Sequence, residues 1–198
     1  AKNTTIDIGT AGSITLLLQA VLLPSLFAQK THTLTLIGGT DVMHSMPIDY
    51  FTNVLTPHLR RLGDIEVKLL KRGYYPRGGG IVEIKLKPEL KRSEFDTLKG
   101  FLAALKHKSF ELTDRGKLSL IRGTAHASKS LLSDKVAERI ASTAKNALSV
   151  LGVTIDISIE YSDSLSPGAG ITLWAIFSKD GEVDITRPVR IGASELGQ

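Results

Sequence analysis

The sequence predicts an α/β protein of the α+β kind: a β-α-β-α-β-β unit over residues 1–92 and a smaller α/β sandwich over residues 116–192, joined by a connecting segment at 93–115. Three observations predict it. Thr31–Ile37 and Val153–Ile159 alternate polar and apolar residues with the two-residue period of strands. Between such stretches lie segments whose apolar residues recur at helical spacing. After the polar stretch Lys106–Asp114 the pattern restarts with a new strand signal.

In chain order, residues 4–10 read as a strand that ends in a turn flanked by Gly9 and Gly12. A helix is expected over Ser13–Ala28, with Ser13 as its N-cap, because a serine hydroxyl accepts a bond from an otherwise unpaired N–H of the first turn. It is apolar on most faces, which predicts burial between layers, and Pro24 predicts a kink. Thr31–Ile37 is the second strand, stopped by Gly38-Gly39-Thr40. Phe51, Val54, Leu55 and Leu59 give a helix over Ile48–Leu62, bent or split at Pro57, which has no N–H to donate. Ile65–Leu70 and Ile81–Leu86 are strands joined by a glycine-rich hairpin, Arg72–Gly80. Phe95–Leu105 reads as a short amphipathic helix. Lys117–Arg122 opens the second unit as a strand, and a long helix follows over Leu131–Leu151 with Val136, Ile140, Ala144 and Leu148 on one face. Val153–Tyr161 and Ile171–Ser178 are the last expected strands, the first with one solvated face. The two units show no repeat of one another.

Composition narrows the function. Of 198 residues, 42% are hydrophobic and 23% charged, which places the chain among globular proteins rather than disordered or fibrous ones. The formal charge of +5 and pI of about 9.4 favour an anionic partner, most commonly nucleic acid. With no cysteine there are no disulfides, thiolate zinc sites or cysteine nucleophiles, which fits a cytoplasmic protein. The longest apolar run, Leu16–Ala28, is interrupted by Gln19 and Pro24 and is too short to span a bilayer. Lys2 and Asp7 leave no apolar stretch for a signal peptide.

His32, His44, His58, His107 and His126 lack metal-ligand spacing, and a solvated or packed role is the ordinary expectation for each. His44 follows Gly38-Gly39-Thr40, a location where sites form at strand ends. No nucleophile elbow, P-loop or dinucleotide fingerprint is present. Gly78-Gly79-Gly80 suits either a permissive turn or a phosphate. Lys71, Arg72 and Arg77 set three cations beside Tyr74 and Tyr75. Cations suit phosphates and tyrosine rings stack on unpaired bases, yet the same residues also suit a solvated hairpin whose tyrosines cover the sheet.

Six stretches in a fixed order carry a resemblance: Asp7–Gln19, Gly38–Val42 with Pro47–Tyr50, Arg72–Gly80, Ile121–Gly123, Ser166–Ala175 and Gly192–Gly197. Together they resemble the central part of the RNA 3′-terminal phosphate cyclases, from the opening of the second structural repeat onward. That resemblance implies α/β repeats related to those of enolpyruvyl transferases, plus a smaller inserted α/β domain, with residues 193–198 starting the return to the main domain. It also implies ATP and a divalent metal, Mg or Mn, and a cytoplasmic, membrane-free enzyme acting on RNA 3′-phosphate ends. In that family a histidine takes AMP from ATP and AMP passes to the RNA 3′-phosphate. The 2′-hydroxyl then displaces AMP, leaving a 2′,3′-cyclic phosphate.

The resemblance implies residue roles as well. Gln19 matches an ATP-site glutamine, whose amide both donates and accepts. Met46 stands where the family has a proline lining the nucleotide pocket. From the hairpin's own chemistry, cations around a tyrosine-bearing glycine turn, Lys71, Arg72 and Arg77 are expected to help hold the RNA backbone. The resemblance assigns no metal ligand. The nucleophilic histidine is expected beyond Gln198 and a first repeat before Ala1, so the 198-residue chain alone is expected to be inactive. Ser93–Ser109 is longer than the usual connection. A competing expectation is a non-catalytic cyclase-like RNA-binding protein of ribosomal RNA processing. An enolpyruvyl transferase shares only the fold.

Overall fold

A computed structural model describes residues 2–108, 114–178 and 189–197. Two four-stranded mixed sheets are formed from separate halves of the chain. In the first, β1 (Lys2–Asp7) runs parallel to β2 (His32–Gly38), and the order is β1-β2-β4-β3, with β3 (Gly63–Lys71) and β4 (Gly80–Pro88) antiparallel. In the second, β5 (Lys117–Ser128) runs parallel to β6 (Thr154–Ser162), and β7 (Ala169–Ser178) and β8 (Val189–Gly197) add antiparallel strands in the order β6-β5-β7-β8.

Helix α1 (Ile14–Leu26) connects β1 to β2 and begins at Ser13, whose hydroxyl accepts from the Leu16 N–H at 3.2 Å. Its buried side, Ile14, Leu18, Leu22 and Leu26, meets Leu34, Leu36, Val82, Ile84 and Leu86 of the sheet. Leu16 and Leu23 are about half exposed, so α1 is covered by this chain on one side only, and the burial between two layers expected from its composition is not found among the described residues. Pro24 sits in its last turn, and the helix stops two residues later. The first strand begins two residues earlier than expected and ends at Asp7. The Asp7 carboxylate accepts from the Gly9 N–H at 2.8 Å and Gly9 and Thr10 adopt positive φ, which turns the chain out of the sheet.

The helix expected over 48–62 is split. α2 (Ile48–Tyr50) leads into a π-helical turn, Phe51–Leu55, then α3 (Thr56–Leu59) and a 3₁₀ turn, Arg60–Leu62. Pro57 breaks the regular ladder by lacking an N–H, and the Phe51 carbonyl accepts from both the N–H and the hydroxyl of Thr56. Helix α4 (Leu98–Lys106) docks through Phe101, whose ring stands edge-on to Phe27 at 5.2 Å.

In the second half β5 runs six residues past its expected end, to Ser128, and helix α5 (Val136–Leu148) starts five residues late, after Lys135 in a left-handed conformation. Ala125 and Ala127 of β5 face α5, packed with Ala137 and Ala141. His126, between them, faces the opposite way, toward the first half. Trp174 and Ile176 of β7 point that way too and pack on Val54 and Tyr50. Residues 193–197 extend the second sheet as part of β8 rather than leaving it. Among the described residues no helix is long and apolar enough to cross a membrane.

Candidate functional site

The glycine turn after β1 and the loop after β2 leave the sheet side by side, at the carboxyl ends of two parallel strands. Gly39 N–H donates to the Gly12 carbonyl at 2.8 Å, and Ile14 N–H donates to the Gly39 carbonyl at 2.9 Å. Thr15, in the first turn of α1, donates its hydroxyl to the Met46 carbonyl at 2.6 Å. Gln19 follows one helical turn after Thr15 and is exposed, while Met46 is half-buried against the core. The two sequence-predicted nucleotide residues thus belong to segments that are bonded to each other. His44 is exposed in the same loop with φ 63°.

The hairpin 72–80 packs over this turn. A side chain at Gly78, where φ is +64°, would place its Cβ 1.7 Å from the Thr10 carbonyl oxygen, so only glycine fits. Tyr75 and Arg77 are exposed and Lys71 is half-buried. Arg77 N–H donates to the Ser166 hydroxyl at 3.2 Å, which ties the hairpin to the second half.

Arg72 is placed differently from its expected role on RNA. It is 2% exposed, and its guanidinium contacts Asp49 at 2.8 Å, Asp41 at 3.2 Å and Glu160 at 2.7 Å. Both terminal guanidinium nitrogens, Nη1 and Nη2, donate to the Asp49 carboxylate. With its donors committed inside the protein, Arg72 is not free to meet a phosphate. Only Lys71 and Arg77 of the three predicted cations stand at the surface.

Around Arg72 lies a buried cluster that the sequence did not disclose. Tyr74 and the His126 Nδ1 share a hydrogen bond at 2.8 Å, and the His126 Nε2 lies 3.6 Å from Asp41 Oδ1. Those last two atoms are buried and have no other partner. Burial, then the Arg72 charge, pushes the His126 pKa down to about 3, so its ring is neutral. Burial outweighs Arg72 at Asp49 and raises that carboxyl. The Tyr74 hydroxyl is also pushed up, first by burial and then by the Asp41 charge. Arg72 stays charged because the aspartates outweigh its burial.

Asp41, Asp49 and His126 bring ligand atoms within 4.8 Å of one another, a grouping that would suit a metal. Arg72 already supplies the cation between the two aspartates, so the group does not fit a catalytic divalent ion. The cluster reaches solvent at Glu160, beside a cleft of about 240 Å³ lined by Lys71, Arg72 and Ser162. Its partners lie 23 to 88 residues apart in sequence, and no spacing rule links them.

Fold and site define a mixed-sheet α/β protein in which two sheets are joined by a glycine hairpin and a buried ion cluster. The family model for RNA 3′-terminal phosphate cyclase matches residues 1–186, and the chain belongs to that family. An RNA 3′-terminal phosphate cyclase from Archaeoglobus fulgidus is 43% identical over 174 residues, covering 87% of this chain and 47% of the relative. One from Pyrococcus furiosus is 43% identical over 194 residues, covering 98% and 49%. One from Pyrococcus abyssi is 40% identical over 199 residues, covering 100% and 51%. The chain spans about half the length of the curated relatives it matches.

Proposed function

We propose that the full-length protein is an ATP-dependent RNA 3′-terminal phosphate cyclase of the ligase class, acting in RNA processing in the cytoplasm. A histidine outside this chain attacks the α-phosphorus of ATP and pyrophosphate leaves. An oxygen of the RNA 3′-phosphate then takes the AMP, and the vicinal 2′-hydroxyl attacks the activated phosphorus and expels AMP. AMP turns a poor phosphate leaving group into a good one. In this chain Gln19 binds the nucleotide through its amide and Met46 packs against the adenine. Lys71 and Arg77 hold the RNA backbone, with Tyr75 available to stack on a base. Arg72 supports the hairpin from inside.

The observation that carries this reading is the Thr15–Met46 bond. It sets the helix of Gln19 against the loop of Met46 at the carboxyl end of parallel strands, where α/β proteins bind ligands. A divalent ion, Mg or Mn, would neutralise the ATP phosphates; Asp41, Asp49 and His126, the one group of described residues that could hold a metal, already have the Arg72 guanidinium between the two aspartates.

The test incubates full-length protein with α-labelled ATP and an RNA bearing a 3′-phosphate. AMP on a single histidine outside residues 1–198, and a cyclic end on the RNA, are expected. RNA binding without adenylylation would replace the enzyme with a non-catalytic RNA-binding protein.

A further inference from the structure

The geometry points to His126 as a positioning residue for the nucleotide loop, acting across the sheets through Asp41. The inference rests on the nucleotide reading of Gln19 and Met46. His126 reaches out of β5 and ends on two segments of the first half: Tyr74 of the hairpin, at Nδ1, and Asp41 of the loop, at Nε2. Asp41 Oδ1 has no other partner, and neither does Nε2. A buried carboxylate oxygen facing a buried lone pair would be costly, so the proton of the neutral ring belongs on Nε2, pointing at Asp41. The Tyr74 hydroxyl then donates to Nδ1. One tautomer serves both neighbours: it accepts from Tyr74 and turns its N–H toward Asp41, 3.6 Å away.

From Asp41 the constraint passes along a short, tied segment. Thr40 is held by the hairpin through its N–H to the Gly73 carbonyl at 2.9 Å, and its carbonyl accepts from Ile48 N–H at 3.1 Å. The Ser45 hydroxyl closes the turn onto the Val42 carbonyl at 3.0 Å, and the Met46 carbonyl ends on Thr15. Asp41 is the loop residue whose side chain faces the second sheet. Arg72 and the Thr40 hydroxyl hold Asp41 through Oδ2, and His126 faces its other oxygen, so the second sheet helps set the loop without touching nucleotide.

Three substitutions at one position separate this from a merely structural role. The Gln side chain places its amide nitrogen near the Nε2 position and keeps the donor toward Asp41. Asn places its amide near Nδ1 and keeps only the Tyr74 contact. Phe keeps neither. In the full-length protein, amide hydrogen exchange over residues 41–46 is measured together with ATP affinity. H126N and H126F are expected to speed exchange in the loop and weaken ATP binding about tenfold, while H126Q stays within about twofold of the parent in both. All three should lose thermal stability, so stability alone decides nothing. Unchanged loop exchange in H126F, or equal effects of H126N and H126Q, overturns the inference. Faster exchange with unchanged ATP affinity overturns the link to the nucleotide. Q19A serves as the control for the underlying reading: if Q19A binds ATP normally, the nucleotide site is misassigned, whatever His126 does to the loop.

Discussion

Arg72 brings one positive charge into a space shared by three carboxylates, and the contacts are close enough that neither side is dispensable. Removing one partner of a buried pair strands the other, at a cost of about 3–5 kcal/mol. R72A is therefore expected to lower unfolding free energy by about that amount, whereas R77A, at an exposed position, shifts it by less than about 0.5 kcal/mol; urea denaturation reads both. The histidine adds a pH signature. Its folded pKa, about 3, lies below its ordinary value of 6.5, so the unfolded chain takes up this proton first as pH falls. Its contribution to stability is complete above pH 6.5 and is lost progressively between 6.5 and about 3. Asp49, with its carboxyl raised, titrates in the opposite sense, and Asp41, Arg72, Tyr74 and Glu160 face the same space. The difference in stability between parent and H126Q isolates the histidine, and it should shrink as pH drops below 6.5. A difference that holds constant from pH 8 to pH 4 contradicts the neutral, buried ring. At this scale Ser13 was legible, because capping is local. Asp41, Asp49 and Glu160 were not, because their common partner Arg72 lies 23 to 88 residues from them in the chain, and His126 was not, because Tyr74 lies 52 residues from it.

The hairpin and the split helix show what an element can and cannot announce. The glycines of 72–80 are legible as a turn, but their reason is contact: Gly78 lies under the Thr10 carbonyl, and Gly168 lies against the Tyr74 ring, 2.3 Å from where a Cβ would sit. G78A combines a left-handed backbone with a clash against backbone, and a loss of about 2–4 kcal/mol is expected in thermal or urea unfolding. K71A/R77A should leave unfolding unchanged and weaken RNA binding at all sequences, with the slope of log affinity against log salt reduced by about 2. An unaltered salt slope would return the hairpin to a structural role alone. The strands were legible wherever polar and apolar residues alternate. The end of β5 was not, since Gly123–Ser128 is a run of mostly small residues whose strand state comes from pairing to β6 and β7 on both sides. The π-helical turn was half legible. Pro57 signals a break, but the Thr56 hydroxyl that occupies the Phe51 carbonyl has no signature of its own.

Across the whole molecule, both sheets contain one parallel pair joined by a helix, yet they grow differently. The first places its later strand β2 in the interior, and the second places its earlier strand β5 there. That difference agrees with the missing sequence repeat between the halves. Strand order is a matter of which edge the next hairpin joins, and side-chain periodicity does not encode it. Three of the chain's five histidines show no arrangement poised for nucleophilic attack. His32 bonds a backbone carbonyl, His44 is exposed in a loop and His126 is buried and neutral. The isolated 198-residue polypeptide should accordingly remain unmodified after incubation with α-labelled ATP and Mg. Mass spectrometry finding stoichiometric AMP on any of the five histidines would refute this.

Trp174 is the sole tryptophan, and it lies where β7 packs on Val54 and Tyr50 of the other half. At 7% exposure its indole is shielded by residues from both halves of the chain. The protein therefore carries an intrinsic fluorophore at its own seam. Emission should shift to longer wavelength when the halves part, even if each sheet stays intact. Comparing that shift with far-ultraviolet circular dichroism during denaturant titration would distinguish undocking from unfolding with no label attached.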